Sequence, residues 1–165
     1  MLKIKIRKIK RKGGKKMKIN ECRNKDVCFV RSDCNVFDAS RIMCENHIGC
    51  IPICDEQRNV VGILTDRDII LRAVACDKNV KTTPVSEIMT KDVCTCSSEQ
   101  NISEAENTMA SYQIRRLPVV DQNNQVVGIL TMGDLARKSG EIGSQSVSTT
   151  IGNICNCKGS IQNSN

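Results

Sequence analysis

The chain has 165 residues with no Trp, one Tyr and two Phe, so Val, Ile, Leu, Met and Cys must fill its interior. Its net charge of +7 misrepresents its body: residues 1–18 hold ten of the 25 Lys and Arg and none of the 18 acids, leaving 15 basic against 18 acidic residues in 19–165, a net of −3. That balance argues against a nucleic-acid partner, no apolar stretch approaches the ~20 residues of a membrane span, and eleven Cys without a secretory leader point to reduced thiols in the cytoplasm.

The chain opens with a basic tail, residues 1–18. Leu2–Lys10 alternates apolar and basic residues and could lie on an anionic surface. The next six residues, Arg11-Lys12-Gly13-Gly14-Lys15-Lys16, can be encoded wholly by purine codons and stand just before Met17. A ribosome-binding site translated by mistake looks the same, so Met17 is expected to be the true start.

From residue 19 the chain repeats itself. Lys25-Asp26-Val27-Cys28 returns as Lys91-Asp92-Val93-Cys94, and Val60–Thr65 returns as Val126–Thr131, both at an offset of 66. At that offset residues 25–72 match 91–138 at about 18 of 48 positions, far above chance. The division expected is residues 19–82, 83–142, and a C-terminal stretch 143–165.

Each copy gives the same reading. A β-prone run (Val27–Val30, Val93–Cys96) precedes a helix. The helix carries a stripe at Val36, Ala39, Ile42, Met43 and Asn46, or at Ile102, Ala105, Met109 and Tyr112, with Asn35 or Asn101 as N-cap. A run through Pro52 or Pro118 follows, where proline predicts an edge or a strand start. A polar turn and a second strand ending in Thr complete a hairpin, and a helix over Asp66–Ala75 or Met132–Lys138 closes the unit. The fold class expected is mixed α/β (α+β), two β-α-β-β-α units packed face to face, since one copy has too little core to stand alone. After Ser139 the chain is rich in Ser, Gly and Asn, with Val147, Ile151 and Ile154 spaced for a short docked helix.

The repeated Gly-Ile-Leu-Thr-x-x-Asp, behind an x-Pro-apolar-apolar-Asp strand and a Val-x-Glu-Ile-Met-Thr lead-in, resembles the cystathionine β-synthase (CBS) domain. Two in tandem resemble a stand-alone bacterial CBS pair, or Bateman module. The resemblance covers about residues 19–139 and implies two units about a pseudo-two-fold axis, homodimerisation, and an adenine nucleotide (AMP, ADP or ATP) in clefts between the units. It implies a regulatory module, without catalysis or a required cofactor, that acts on an unidentified protein partner; the alternative is a structural or adaptor dimer with no ligand.

The residues suit such a ligand. Thr65 and Asp68, and Thr131 and Asp134, stand where a strand enters a helix and form a capping box there. An Asp at that place can also accept hydrogen bonds from two ribose hydroxyls, and the resemblance assigns one ribose to each pair. Arg115 and Arg116 precede the Pro118 strand, where the first copy has Gly49 and Cys50, and Asp66-Arg67 becomes Met132-Gly133. The two sites are therefore unequal: the Asp134 site is expected to hold phosphate through Arg115 or Arg116, with Arg67 reaching across. The resemblance places the base near Val27–Cys28, Val85 and Val93, with Ile53, Val119 and Pro84 nearby.

The other reactive side chains suggest little chemistry. Cys94, Cys96, Cys155 and Cys157 could supply four zinc thiolates, but the usual spacing is absent. Cys96 aligns with Val30, Cys54 with Val120 and Cys44 with Ala110, so cysteine reads as a small packing residue, with a metal or redox sensor as the alternative. His47, the one histidine, aligns with Gln113 and reads as a surface residue at a helix end, and no nucleophile–base pair is visible.

Overall fold

A computed structural model describes residues 17–155. The readings of the basic tail upstream of Met17 and of Cys157 lie outside the described residues.

Both copies fold as β-α-β-β-α. The first consists of β1 (Val30–Arg31), α1 (Val36–Glu45), β2 (Cys50–Cys54), β3 (Val60–Thr65) and α2, an α-helical turn at Asp66–Asp68 that runs into a π-helix at Ile69–Val74. The second consists of β4 (Cys96–Ser97), α3 (Ile102–Tyr112), β5 (Arg116–Val120), β6 (Val126–Thr131) and α4 (Met132–Arg137). Two further helices follow, α5 (Ser139–Ile142) and α6 (Ser144–Cys155). The asparagines cap as expected: Asn35 accepts from the Asp38 N–H at 2.8 Å, and Asn101 forms a capping box with Glu104. The first strands are shorter than the β-prone runs, because only Val30–Arg31 and Cys96–Ser97 reach a partner strand.

Each copy has a three-stranded sheet with the middle strand of the sequence at its centre, β1-β2-β3 and β4-β5-β6. Pro52 therefore lies within a central strand, which corrects the expectation of an edge or strand start. The reason is the length of β1. It pairs only with Ile53 and Cys54, so beside Pro52 that flank of β2 is open and no ladder bond is forfeited. Pro118 in β5 has the same arrangement, with β4 paired only to Val119 and Val120.

The two cores are built crosswise. Ile19 and Cys22, which lead into the first copy, are buried in the second copy's core with Ile102, Met109, Leu117 and Leu130. Val85 and Ile88, which lead into the second copy, are buried in the first copy's core with Val36, Ile51, Ile53 and Leu64. Backbone hydrogen bonds hold both crossings: Ile19 N–H donates to Gln100 O and Asn20 N–H to Ser98 O, while Val85 N–H donates to Cys34 O and Ser86 N–H to Ser32 O. The bridges occur in pairs offset by 66, Lys18 to Asn101 with Asn35 to Pro84, and Asn24 to Ile129 with Ile63 to Thr90. Asn59 bridges its own counterpart Gln125, so the pseudo-two-fold axis passes between the two hairpin turns.

The C-terminal helix breaks this symmetry. α6 packs on α3 and α4 of the second copy through Val147, Thr150 and Ile154, all nearly buried. Ile151, expected on the docked stripe, is 43% exposed, because the buried face lies toward position 150. On α3, Tyr112 is 65% exposed and leaves the predicted stripe, since the helix ends beside it at the left-handed Gln113. Glu106 is buried instead: its Oε2 accepts from Ser146 of α6 at 2.8 Å, and its Oε1 has no partner among the described residues. In the first copy no helix among the described residues takes the place of α6, and Phe37, Ile70, Leu71 and Val74 are exposed.

Because Ile19 is fully buried in the far repeat, Ile19→Ala should lower stability by about 2–5 kcal/mol, the range for truncating a buried Ile. Urea unfolding followed by circular dichroism should show the loss as one shifted transition, and a separate early transition of one repeat would contradict the crossed packing.

Candidate functional site

A cavity of about 440 Å3 lies between the repeats, beside the end of β6 and the start of α4. The first copy supplies Asn24, Asp26, Val27 and Cys28 of its lead-in, and the turn from α1 into β2, His47 to Cys50. The second copy supplies Arg115 and Arg116, Thr131 to Asp134, and Arg137. The size suits a small organic ligand, in the usual range of roughly 300–1,000 Å3.

The capping box fixes the acid at the cavity wall. Thr131 N–H and Oγ1–H both donate to Asp134 Oδ2, at 2.8 and 2.6 Å, and Asp134 N–H donates back to Thr131 Oγ1 at 3.2 Å. The other oxygen, Oδ1, accepts from the Arg137 guanidinium. Asp134 is 5% exposed, so its charge is held by these bonds and not by water.

The cations are held more loosely. Arg116 is half-buried, and its guanidinium reaches the first copy: a Cβ on Gly49 would lie 3.1 Å from its Nη2 and 2.9 Å from Asp66 Oδ2. Among the described residues the Arg116 guanidinium makes no hydrogen bond or ion pair. Arg115 is exposed and donates only to the Cys155 sulfur of α6, at 3.8 Å. A guanidinium in this position has the chemistry to pair with an anion. Cys50 is buried beside these groups; burial pushes its thiol up to about 11, with Arg116 opposing and Asp66 reinforcing the shift.

The same place around Asp68 is built differently. Thr65 and Asp68 repeat the capping box, with Thr65 Oγ1–H donating to Oδ2 at 2.6 Å. Here Arg72 lies 3.4 Å from Asp68 Oδ1 and is also anchored to Ile88 O at 2.9 Å and Thr90 Oγ1 at 3.2 Å. Met89 packs onto Gly62, where the second copy has Arg23 against Gly128. The position of Arg137 is held by Leu71.

Of the predicted site residues, Val27, Arg115, Arg116, Thr131 and Asp134 line the cavity. Arg67 does not: it follows Asp66 by one helical step, which turns it away from Gly49 and leaves it exposed. Ile53 and Val119 are fully buried within the two cores, and Val85 is fully buried in the first core. Pro84 bridges Asn35, and Val93, the counterpart of Val27, lies outside this cavity with Thr65 and Asp68. The sequence reading missed Asn24, Asp26, Met132, Gly133 and Arg137, and it placed His47 on an ordinary surface. His47 is exposed but in the left-handed conformation, φ 53°, at the cavity edge. Arg137 left a signal, an Arg three residues after an acid on a helix.

A profile of the CBS domain matches residues 19–74 and 85–141. The chain belongs to the CBS domain family. The CBS domain-containing protein YhcV of Bacillus subtilis is 38% identical over 128 residues, 78% of this chain and 88% of YhcV. The CBS domain protein TA0289 of Thermoplasma acidophilum, a protein of unknown function, superposes with a TM-score of 0.72 at 28% identity, covering 83% of this chain and 75% of that one. The CBS domain pair of MJ0100, solved in complex with 5′-methylthioadenosine and S-adenosyl-L-methionine, superposes with a TM-score of 0.68 at 31% identity, covering 75% and 96%. Among the described residues no helix is long and apolar enough to cross a membrane, and no three His, Cys, Asp or Glu side chains form a metal-binding group.

Burial separates the cysteines. Cys44, Cys76 and Cys155 are exposed, whereas burial raises the thiols of Cys22, Cys50 and Cys54 to about 11 and that of Cys96 to about 12. At pH 8 iodoacetamide should modify the exposed three within minutes and spare the buried four until denaturant is added, because the thiolate is the reactive form. Peptide mass mapping checks this, and prompt labelling of Cys96 would contradict its placement.

Proposed function

We propose that this CBS pair binds an adenine nucleotide, of the AMP, ADP or ATP type, in the cavity at Asp134 and works as a cytoplasmic regulatory module without catalytic activity. One observation carries the reading: a buried ribose-competent carboxylate and an unpaired half-buried guanidinium, from Asp134 and Arg116, share one cavity between the repeats. The carboxylate suits a vicinal diol, and Arg115 and Arg116 suit a phosphate. The adenosyl ligands of the MJ0100 pair support the adenosine part. The non-catalytic part is supported by the 88% coverage of YhcV, which leaves that relative little room for a catalytic domain.

A ligand touching both repeats would favour one relative packing over others, and a protein partner would read that difference. The family resemblance supports a homodimer, and the exposed face bearing Phe37, Ile70, Leu71 and Val74 is the surface that a second copy would cover.

The two acids give the test. In calorimetric titrations with AMP, ADP and ATP, Asp134→Ala should weaken the tightest nucleotide by roughly 30-fold or more, while Asp68→Ala should change it by less than about threefold. Equal losses would refute the inequality of the sites, and no binding of any nucleotide to the unaltered chain would refute the nucleotide itself.

A further inference from the structure

We infer that Arg137 is the specificity-determining residue of the Asp134 site: it occupies the acid as a latch, and only an adenosyl ligand that brings its own anion displaces it without loss. The inference rests on the adenosyl reading of this cavity. It starts from the acceptor positions of one carboxylate. Asp134 Oδ2 already accepts two hydrogen bonds from Thr131, which fills its lone pairs. Oδ1 accepts one from Arg137, so a single position remains. A vicinal diol donates two hydrogen bonds, and the second needs the place that Arg137 holds.

Arg137 is built to move, and Asp134 is not. The Asp134 side chain is 6% exposed and tied into the capping box, whereas the Arg137 side chain is 73% exposed. Arg72 beside Asp68 lacks this freedom, because Ile88 O and Thr90 Oγ1 anchor it as well. The first copy also has apolar Leu71 where the second has Arg137, so the latch belongs to one site. Once displaced, the guanidinium leaves a buried acid and needs another anion. A phosphate in the cavity supplies one, next to Arg115 and Arg116. A neutral nucleoside supplies none, and a sulfonium compound adds a positive charge to a wall that already holds three arginines. The expected order is phosphorylated above neutral above sulfonium ligands.

The test is calorimetry on the full chain with AMP, adenosine and S-adenosylmethionine, with thermal melting to verify folding. In R137L, which installs the first copy's residue, adenosine should bind about 3–10-fold tighter and AMP about 10-fold weaker. Opposite signs for the two ligands are the signature of a latch, since a residue that only shapes the wall would weaken both. R137K keeps the charge and should keep the preference for AMP, and R137Q replaces R137L in the same comparison if the leucine variant does not fold. Parallel losses, or no change in the ratio of AMP to adenosine affinity, would overturn the latch while leaving the adenosyl reading intact. Failure of both AMP and adenosine to bind the unaltered chain would overturn that reading, and the latch with it.

Discussion

The burial of Ile19 and Cys22 in one core, and of Val85 and Ile88 in the other, is the contact on which the rest of the molecule depends. Each repeat lacks one wall of its own interior, and the neighbour's lead-in closes it. The segments that follow these crossings, Asn24 to Cys28 and Thr90 to Cys94, must then run along the seam between the repeats. The bridges from Asn24 to Ile129 and from Thr90 to Ile63 mark where they do so. The cavity at Asp134 has the first copy's lead-in as one wall for this reason. It is a by-product of how the cores are completed, and its shape is as firm as they are.

Symmetry in the backbone then allows inequality in the side chains. The capping boxes at Thr65–Asp68 and Thr131–Asp134 are nearly superimposable in their bonding, because strand-to-helix geometry demands them whatever else the site does. Several neighbours have diverged, Met89 against Arg23, Asp66 against Met132, Leu71 against Arg137 and Gly49 against Arg115, while Asp26-Val27-Cys28, Ile48 and Pro52 recur unchanged as Asp92-Val93-Cys94, Ile114 and Pro118. In each copy the framework acid is retained and the charge near it is changed. Duplication thus supplies two copies of one capping-box carboxylate, and substitution at its rim distinguishes them.

Much of this was legible in the chain because an offset of 66 aligns the copies without a gap. Helix caps, hairpins and the two acids follow from local chemistry and are where residue type predicts them. The crossing of the lead-ins was not legible, for a reason symmetry makes plain. The apolar character of Ile19 says that it is buried, but both copies offer equivalent cores, and nothing local chooses between near and far. The full burial of Ile53 and Val119 was not legible either, because the faces of their strands are known only after packing. Arg67 was expected at the cleft, where Arg137 in fact lines it, because one helical step decides whether a long side chain meets the cleft or solvent. Glu106 escaped notice because an acid on a helix is ordinarily solvated, and only the docking of α6 buries it.

The exchanged lead-ins have a consequence for what a single repeat can be. A lone copy would carry an open core and a helical turn of its own sequence fitted to close another. Two such chains could complete one another only by meeting in solution, and the cavity would then exist in proportion to their concentration. Joining them through residues 76–84 makes that encounter intramolecular, at an effective concentration in the millimolar range typical of short linkers. The cleft therefore persists at any dilution, whatever the level of the protein.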